Sequence, residues 1–199
     1  MTLGILFTNA MGVSLLAGAV LGVRHAVEAD HLAAVGTMVS SERPGSVMGM
    51  WWALGHMLPI ATGGLAAVAL GLIMPPWVAA TAETGVGLML IGLGIIGILP
   101  SIRVLNIDTQ RSLTHRGSFA VGIVHGLAGS GAMILILTST AGDIPMAVLF
   151  LSGVGGGSIL TMVLLADLWS RLQHRQAALQ WVVGLLSVIL GAGILAGMM

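Results

Sequence analysis

Hydrophobic residues run in long blocks along the chain, and short polar connectors separate them. A helix needs roughly 20 apolar residues to cross the hydrocarbon core of a bilayer, and six stretches reach that length. The first lies within residues 4–38, and the others cover about 48–73, 78–100, 118–140, 145–169 and 177–198. The pattern predicts an all-α fold: a polytopic membrane helical bundle of about six transmembrane helices, forming a single transmembrane domain over residues 1–199.

Composition supports the same fold class. Only 7 Arg and 7 Asp or Glu occur among 199 residues, so charged residues make up 7% of the chain, against about 25% in soluble domains. A soluble domain needs a polar surface that these residues cannot supply. High hydrophobicity excludes intrinsic disorder, and the lack of clustered basic residues excludes nucleic-acid binding. The absence of Cys excludes disulfides and thiolate metal sites.

The Arg residues predict the orientation in the membrane. Six of the seven lie in three connectors, at residues 40–47, 101–117 and 170–176. Cytoplasmic loops carry the excess of Lys and Arg in membrane proteins. We therefore expect these three loops in the cytoplasm and both termini outside, in a multi-pass protein of the cytoplasmic membrane.

The sequence also shows two pseudo-halves, about 1–100 and 101–199, with an offset of 100 residues. Gly22-Val23-Arg24-His25 aligns with Gly122-Ile123-Val124-His125. Three helices in each half is an odd number, so the second half would lie inverted relative to the first. A 3+3 inverted repeat is typical of transporters, whose binding site lies between the halves.

One segment contains several ionisable residues although the rest of the chain has few. Arg24-His25-Ala26-Val27-Glu28-Ala29-Asp30-His31 holds five ionisable residues, and a charge at mid-membrane costs about 2.5–3.5 kcal/mol. A regular helix places Asp30 away from the other four, so either the helix breaks here or Asp30 serves a different neighbour. The simpler alternative is that the cluster is the water-exposed cytoplasmic end of the first helix. Residues 4–38 are too many for one straight crossing, which argues against that alternative.

The residue types in this segment indicate a divalent-cation site. Two imidazoles with one or two carboxylates and no sulfur suit Ni²⁺, Co²⁺ or Zn²⁺, and they suit Mg²⁺ less well. Thirteen Met residues raise a copper(I) alternative. They are scattered, however, and Met is usually filler in an apolar bundle.

Two motifs carry a resemblance to a known family. His25, Asp30 and His31 match the H-x4-D-H pattern of the nickel/cobalt transporter family, and Leu54-Gly55-His56 matches its L-G-H motif. The stretch from Val124 to Gly131 resembles the shorter six-helix branch of urease accessory, UreH-type proteins. The family often has Asp where this chain has Glu28, and a small hydroxyl residue where Met57 follows His56. The aspartate- and threonine-rich motifs of the larger eight-helix permeases are missing.

The resemblance implies uptake of Ni²⁺ or Co²⁺ across the cytoplasmic membrane. We predict metal ligands at His25, Asp30, His31 and His56, and positions behind the ligands or along the ion pathway at Arg24, Glu28, His125 and Ser130. Taken alone, His56 would be read as a packing residue of an apolar helix. It is predicted as a ligand because His25 and His31 precede it.

Transport is therefore the leading hypothesis, with the metal ion as substrate and no covalent cofactor. The competing hypothesis is a metal-binding membrane accessory factor for nickel-enzyme maturation. A membrane metalloenzyme is less favoured because the chain has no H-E-x-x-H helix, so we expect no enzymatic activity. The expected partners are the metal ion and the lipid bilayer, without nucleic acid. A homo-oligomer and handover of nickel to maturation proteins remain open.

Overall fold

The structure is a computed structural model that describes residues 2–39, 44–72, 75–98, 114–140, 143–173 and 177–197. These ranges hold helices and no strand, which confirms the all-α prediction. The helices are α1 (Thr2–Ala26), α2 (Ala29–Met38), α3 (Gly45–Leu70), α4 (Pro76–Ile98), α5 (His115–Thr140), α6 (Ile144–Gln173) and α7 (Ala177–Leu195).

Each predicted apolar stretch coincides with one helix, except the first. Among the described residues, α3, α4 and α6 are long and apolar enough to cross a membrane. Asn9–Ala26 and Ala29–Met38 also qualify when taken together as one span bent by 60°. The described chain thus contains three or four candidate spans, against the six predicted. Most of the predicted cytoplasmic loops 40–47 and 101–117 lies outside the described residues, as do residues 174–176 of the third loop.

The bend between α1 and α2 has a clear backbone origin. The Val27 and Glu28 amides donate to the carbonyls of Arg24 and His25, so α1 ends in a tightened turn. Glu28 then takes an extended conformation, and its carbonyl accepts the amide of Leu32 to begin α2. The helix is therefore broken inside the ionisable segment, as one of the two sequence alternatives required.

Glycines set how closely the helices approach one another. Gly18 and Gly22 of α1 lie against the backbone of Phe150 and Val154 of α6, so these two helices run parallel. Small residues permit this close approach in membrane bundles. On α5, Gly122 is in the same kind of contact with the backbone of α3.

The pairing of α3 with α5 brings the site together. Gly122 lies against Trp52, and Gly126 lies against His56, so α3 and α5 also run parallel. His125 is adjacent to Gly126 in the chain. The glycine contacts therefore place His125 beside the α3 residues that face the bend between α1 and α2.

Candidate metal centre

Three buried imidazoles from three helices converge at the bend. His25 lies in the last turn of α1, His31 lies in the first turn of α2, and His56 lies midway along α3. The Nε2 atom of His56 is 3.1 Å from His25 Nε2 and 3.3 Å from His31 Nε2. These residues are at most 6% exposed. The three predicted His ligands thus meet at one point.

Carboxylates lie behind two of these rings. His25 Nδ1 is 2.8 Å from Glu28 Oε2, and His31 Nδ1 is 3.1 Å from Asp30 Oδ1. A carboxylate accepts the Nδ1–H proton of a neutral imidazole, so the Nε2 atom of that ring carries a lone pair. This arrangement is the one that orients imidazole ligands in metal sites. Both rings therefore aim a lone pair at the common point.

His56 has no comparable partner. Its Nδ1 atom is buried and accepts or donates no hydrogen bond within the described ranges. If Nε2 carries the proton, the Nδ1 lone pair is left buried and unpaired. If Nδ1 carries it, three Nε2 lone pairs face one another. A cation between the rings removes the repulsion among the three Nε2 lone pairs. Metal–nitrogen bonds of about 2.0–2.1 Å would place the nitrogens roughly 3.3 Å apart, close to the 3.1 and 3.3 Å between the Nε2 atoms.

Asp30 links this cluster to the second half of the chain. Its Oδ1 atom accepts the His31 backbone amide at 2.9 Å, and its Oδ2 atom lies 2.9 Å from His125 Nε2. Asp30, His31 and His125 form a second group whose ligand atoms lie within 4.8 Å of one another. Asp30 therefore does serve a distant neighbour, which was the other sequence alternative.

The remaining predicted positions have different surroundings. Glu28 contacts His25, and in the described structure it forms no ion pair with Arg24, whose side chain is exposed. Ser130 lies on α5, but its side chain is outside the described part of the structure.

Trp52 forms a wall of the site that sequence analysis did not identify. Its ring is buried, and its centroid lies 5.6 Å from that of His31, 5.9 Å from His56 and 5.7 Å from His125. Trp52 precedes His56 by four positions, so one turn of α3 places both on the same face. This four-residue spacing in the sequence could have identified Trp52 as a neighbour of His56.

The fold and the cluster define a helical membrane protein whose buried imidazoles and adjoining carboxylates have the ligand types of a transition-metal site. Urease accessory protein UreH from Bacillus sp. (strain TB-90) is 31% identical over 162 residues, covering 73% of this chain and 71% of that protein. The chain therefore belongs to the UreH family, whose members are of the nickel/cobalt transporter type. No family model and no solved structure matches the chain.

Proposed function

We propose that this protein carries Ni²⁺, with Co²⁺ as a second substrate, across the cytoplasmic membrane through the buried histidine cluster. The observation that carries the proposal is the convergence of the His25, His31 and His56 Nε2 atoms on one point. Carboxylates on the far side of two of these rings hold the lone pairs inward. Such a site is expensive to bury unless it binds a cation.

The charge of the cluster supports a divalent ion. With neutral imidazoles, Glu28 and Asp30 give the cluster two negative charges, and a bound Ni²⁺ or Co²⁺ balances them. The exposed Arg24 side chain makes no ion pair with either carboxylate in the described ranges. Nitrogen-rich ligand sets favour borderline first-row ions over Mg²⁺.

The contacts between helices support a transport mechanism with two inverted halves. The parallel contact of α1 with α6 has its counterpart in the parallel contact of α3 with α5. Helices α4 and α7 cross antiparallel, with Gly87 against Gly191 and Gly94 against Gly184. A pseudo-two-fold axis relating the halves pairs α1 with α5, α3 with α6 and α4 with α7, so it turns the α1–α6 contact into the α5–α3 contact. In alternating access, two such halves move about a central binding site.

An inward-negative membrane potential favours entry of the cation. It contributes about 2.3 kcal/mol per charge per 100 mV, hence about 4.6 kcal/mol for a divalent cation. The sequence contains no nucleotide-binding loop that would point to another energy source.

The second candidate is an accessory factor that binds nickel and passes it to an enzyme-maturation system. The relative from Bacillus sp. is named a urease accessory protein, and this name favours the second candidate. Both candidates need the same metal site, and they differ in whether the ion crosses the bilayer.

Uptake of radioactive nickel by proteoliposomes tests the proposal. Liposomes containing the purified chain, with a potassium-diffusion potential negative inside, should accumulate Ni²⁺. His25→Ala and His31→Ala should each reduce uptake to the level of empty liposomes. His115→Ala is the matched control, because His115 is exposed and contacts Trp51 rather than the cluster. Nickel binding without uptake would favour the accessory factor, and unchanged uptake by both variants would reject the site.

A further inference from the structure

The second group of ligands shares one residue with the first. His31 faces His56 with its Nε2 atom and Asp30 with its Nδ1 atom. Asp30 in turn reaches His125, whose ring is 1% exposed. The His125 Nδ1 atom is buried and without a hydrogen-bond partner in the described ranges. The His125 ring therefore contacts the Asp30 carboxylate through Nε2, and its Nδ1 atom makes no hydrogen bond that would explain its burial.

We propose that Asp30, His31 and His125 form a second position for the transported ion, which is occupied alternately with the position between His25, His31 and His56. This inference rests on the proposed function and adds to it a defined step in the path of the ion. Its ligands are the Asp30 carboxylate, His31 Nδ1 and His125 Nε2. The His31 nitrogen lies 3.1 Å from Asp30 Oδ1, and the His125 nitrogen lies 2.9 Å from Asp30 Oδ2.

Alternation follows from the chemistry of His31. A neutral imidazole has one N–H and one lone pair, so it can offer only one nitrogen to a metal. An ion at the first position uses Nε2, and the Nδ1 proton is then donated to Asp30. An ion at the second position uses Nδ1 of His31. The Nδ1 proton then leaves through Asp30 Oδ1, 3.1 Å away, to solvent water. Once the ion has left Nε2, that atom takes up one proton from water and faces the His56 Nε2 lone pair at 3.3 Å. His125 likewise gives up a proton from Nε2 and takes one up on Nδ1, so each ring keeps one proton and no net proton is transferred.

The two positions differ in the half of the chain that holds the ion. The first draws its ligands from α1, α2 and α3, whereas the second adds His125 from α5. Transfer from one to the other therefore attaches the ion to both halves. Trp52 lies beside the rings that are involved, with its centroid 5.6 Å from His31 and 5.7 Å from His125. The buried Trp52 ring excludes water from the side of the cluster that it covers.

Equilibrium dialysis of the full chain in detergent against NiCl₂ tests the proposal, with metal content as the readout. The unmodified protein should bind one ion. His56→Gln removes a ligand of the first position only, so it should still bind one ion, more weakly than the unmodified protein. The double variant His56→Gln with His125→Gln should lose this remaining binding. His56→Gln with His115→Gln is the matched control and should retain it.

Three outcomes would overturn the inference. These are two ions bound at once by the unmodified protein, no binding by His56→Gln, or equal binding by His56→Gln and the double variant with His125→Gln. His125→Gln alone should keep one ion bound but reduce uptake in proteoliposomes at least tenfold, and undiminished uptake would also overturn it. These failures leave the proposed function standing, whereas an unmodified protein that binds no Ni²⁺ would reject both.

Discussion

Replacing Gly126 by Ala tests whether close packing of α5 on α3 is needed for ion transfer. A Cβ atom at Gly126 would lie 2.9 Å from the carbonyl carbon of His56 and 2.8 Å from Cγ of Pro59. Non-bonded carbons prefer separations of about 3.5–4.0 Å, so α5 must move away by roughly 1 Å. The hydrogen bond of 2.9 Å between His125 and Asp30 does not survive a displacement of that size. Overpacking of this kind costs about 1–3 kcal/mol.

We expect Gly126→Ala to lower nickel uptake by about tenfold or more, because the shift of α5 separates His125 from Asp30. Nickel affinity should change much less, since His25 and His31 belong to helices that do not move. Initial uptake rates in proteoliposomes and calorimetric titration in detergent measure the two quantities. Gly156→Ala on α6 is the control, because a Cβ there meets nothing within 4 Å. Equal uptake by both glycine variants would refute the reasoning.

Further predictions address individual contacts. Glu28→Ala should weaken nickel binding about tenfold, because the carboxylate orients His25. Glu83→Ala changes an exposed position on α4 and should leave nickel affinity unchanged. Equal nickel affinities of the two variants in calorimetry would contradict the orienting role of Glu28. Nickel should quench the fluorescence of Trp52, so Trp52→Phe should lose the quenching and Trp77→Phe, exposed at the start of α4, should keep it; quenching that persists in Trp52→Phe would disprove this contact. The buried hydroxyl of Ser158 donates to a carbonyl of α1 at 3.0 Å, so Ser158→Ala should lower the free energy of unfolding by about 1 kcal/mol. A thermal melt in detergent measures it, and an unchanged midpoint would show that the hydrogen bond is not stabilising.

Hydrophobic blocks and the charged segment were sufficient to predict the helices and the histidines that meet in the cluster from the first part of the chain. Residues 4–38 were recognised as too long for one straight span, and the structure divides them into α1 and α2. The break falls within the ionisable segment because Glu28 is extended there. Local spacing contains this information, since a regular helix could not direct Asp30 and His31 to the same cluster.

Contacts between distant parts of the chain were not predictable in the same way. Asp30 and His125 are 95 positions apart, and their hydrogen bond depends on how closely α5 approaches α3. That approach is set by Gly122 and Gly126 against the backbone of α3. Gly122 and Gly126 are four positions apart, a spacing typical of close helix packing in membranes, but the sequence does not specify which helix they face. Trp52 was missed because a Trp on an apolar helix is ordinarily read as part of the core.

The converging imidazoles should hold a transition-metal ion. Crystals of the full chain soaked in NiCl₂, with diffraction data collected at the nickel absorption edge, test this. We expect an anomalous peak inside the cluster, about 2.1 Å from the Nε2 atoms of His25, His31 and His56. Anomalous density confined to exposed residues such as His115, with none inside the cluster, would contradict it.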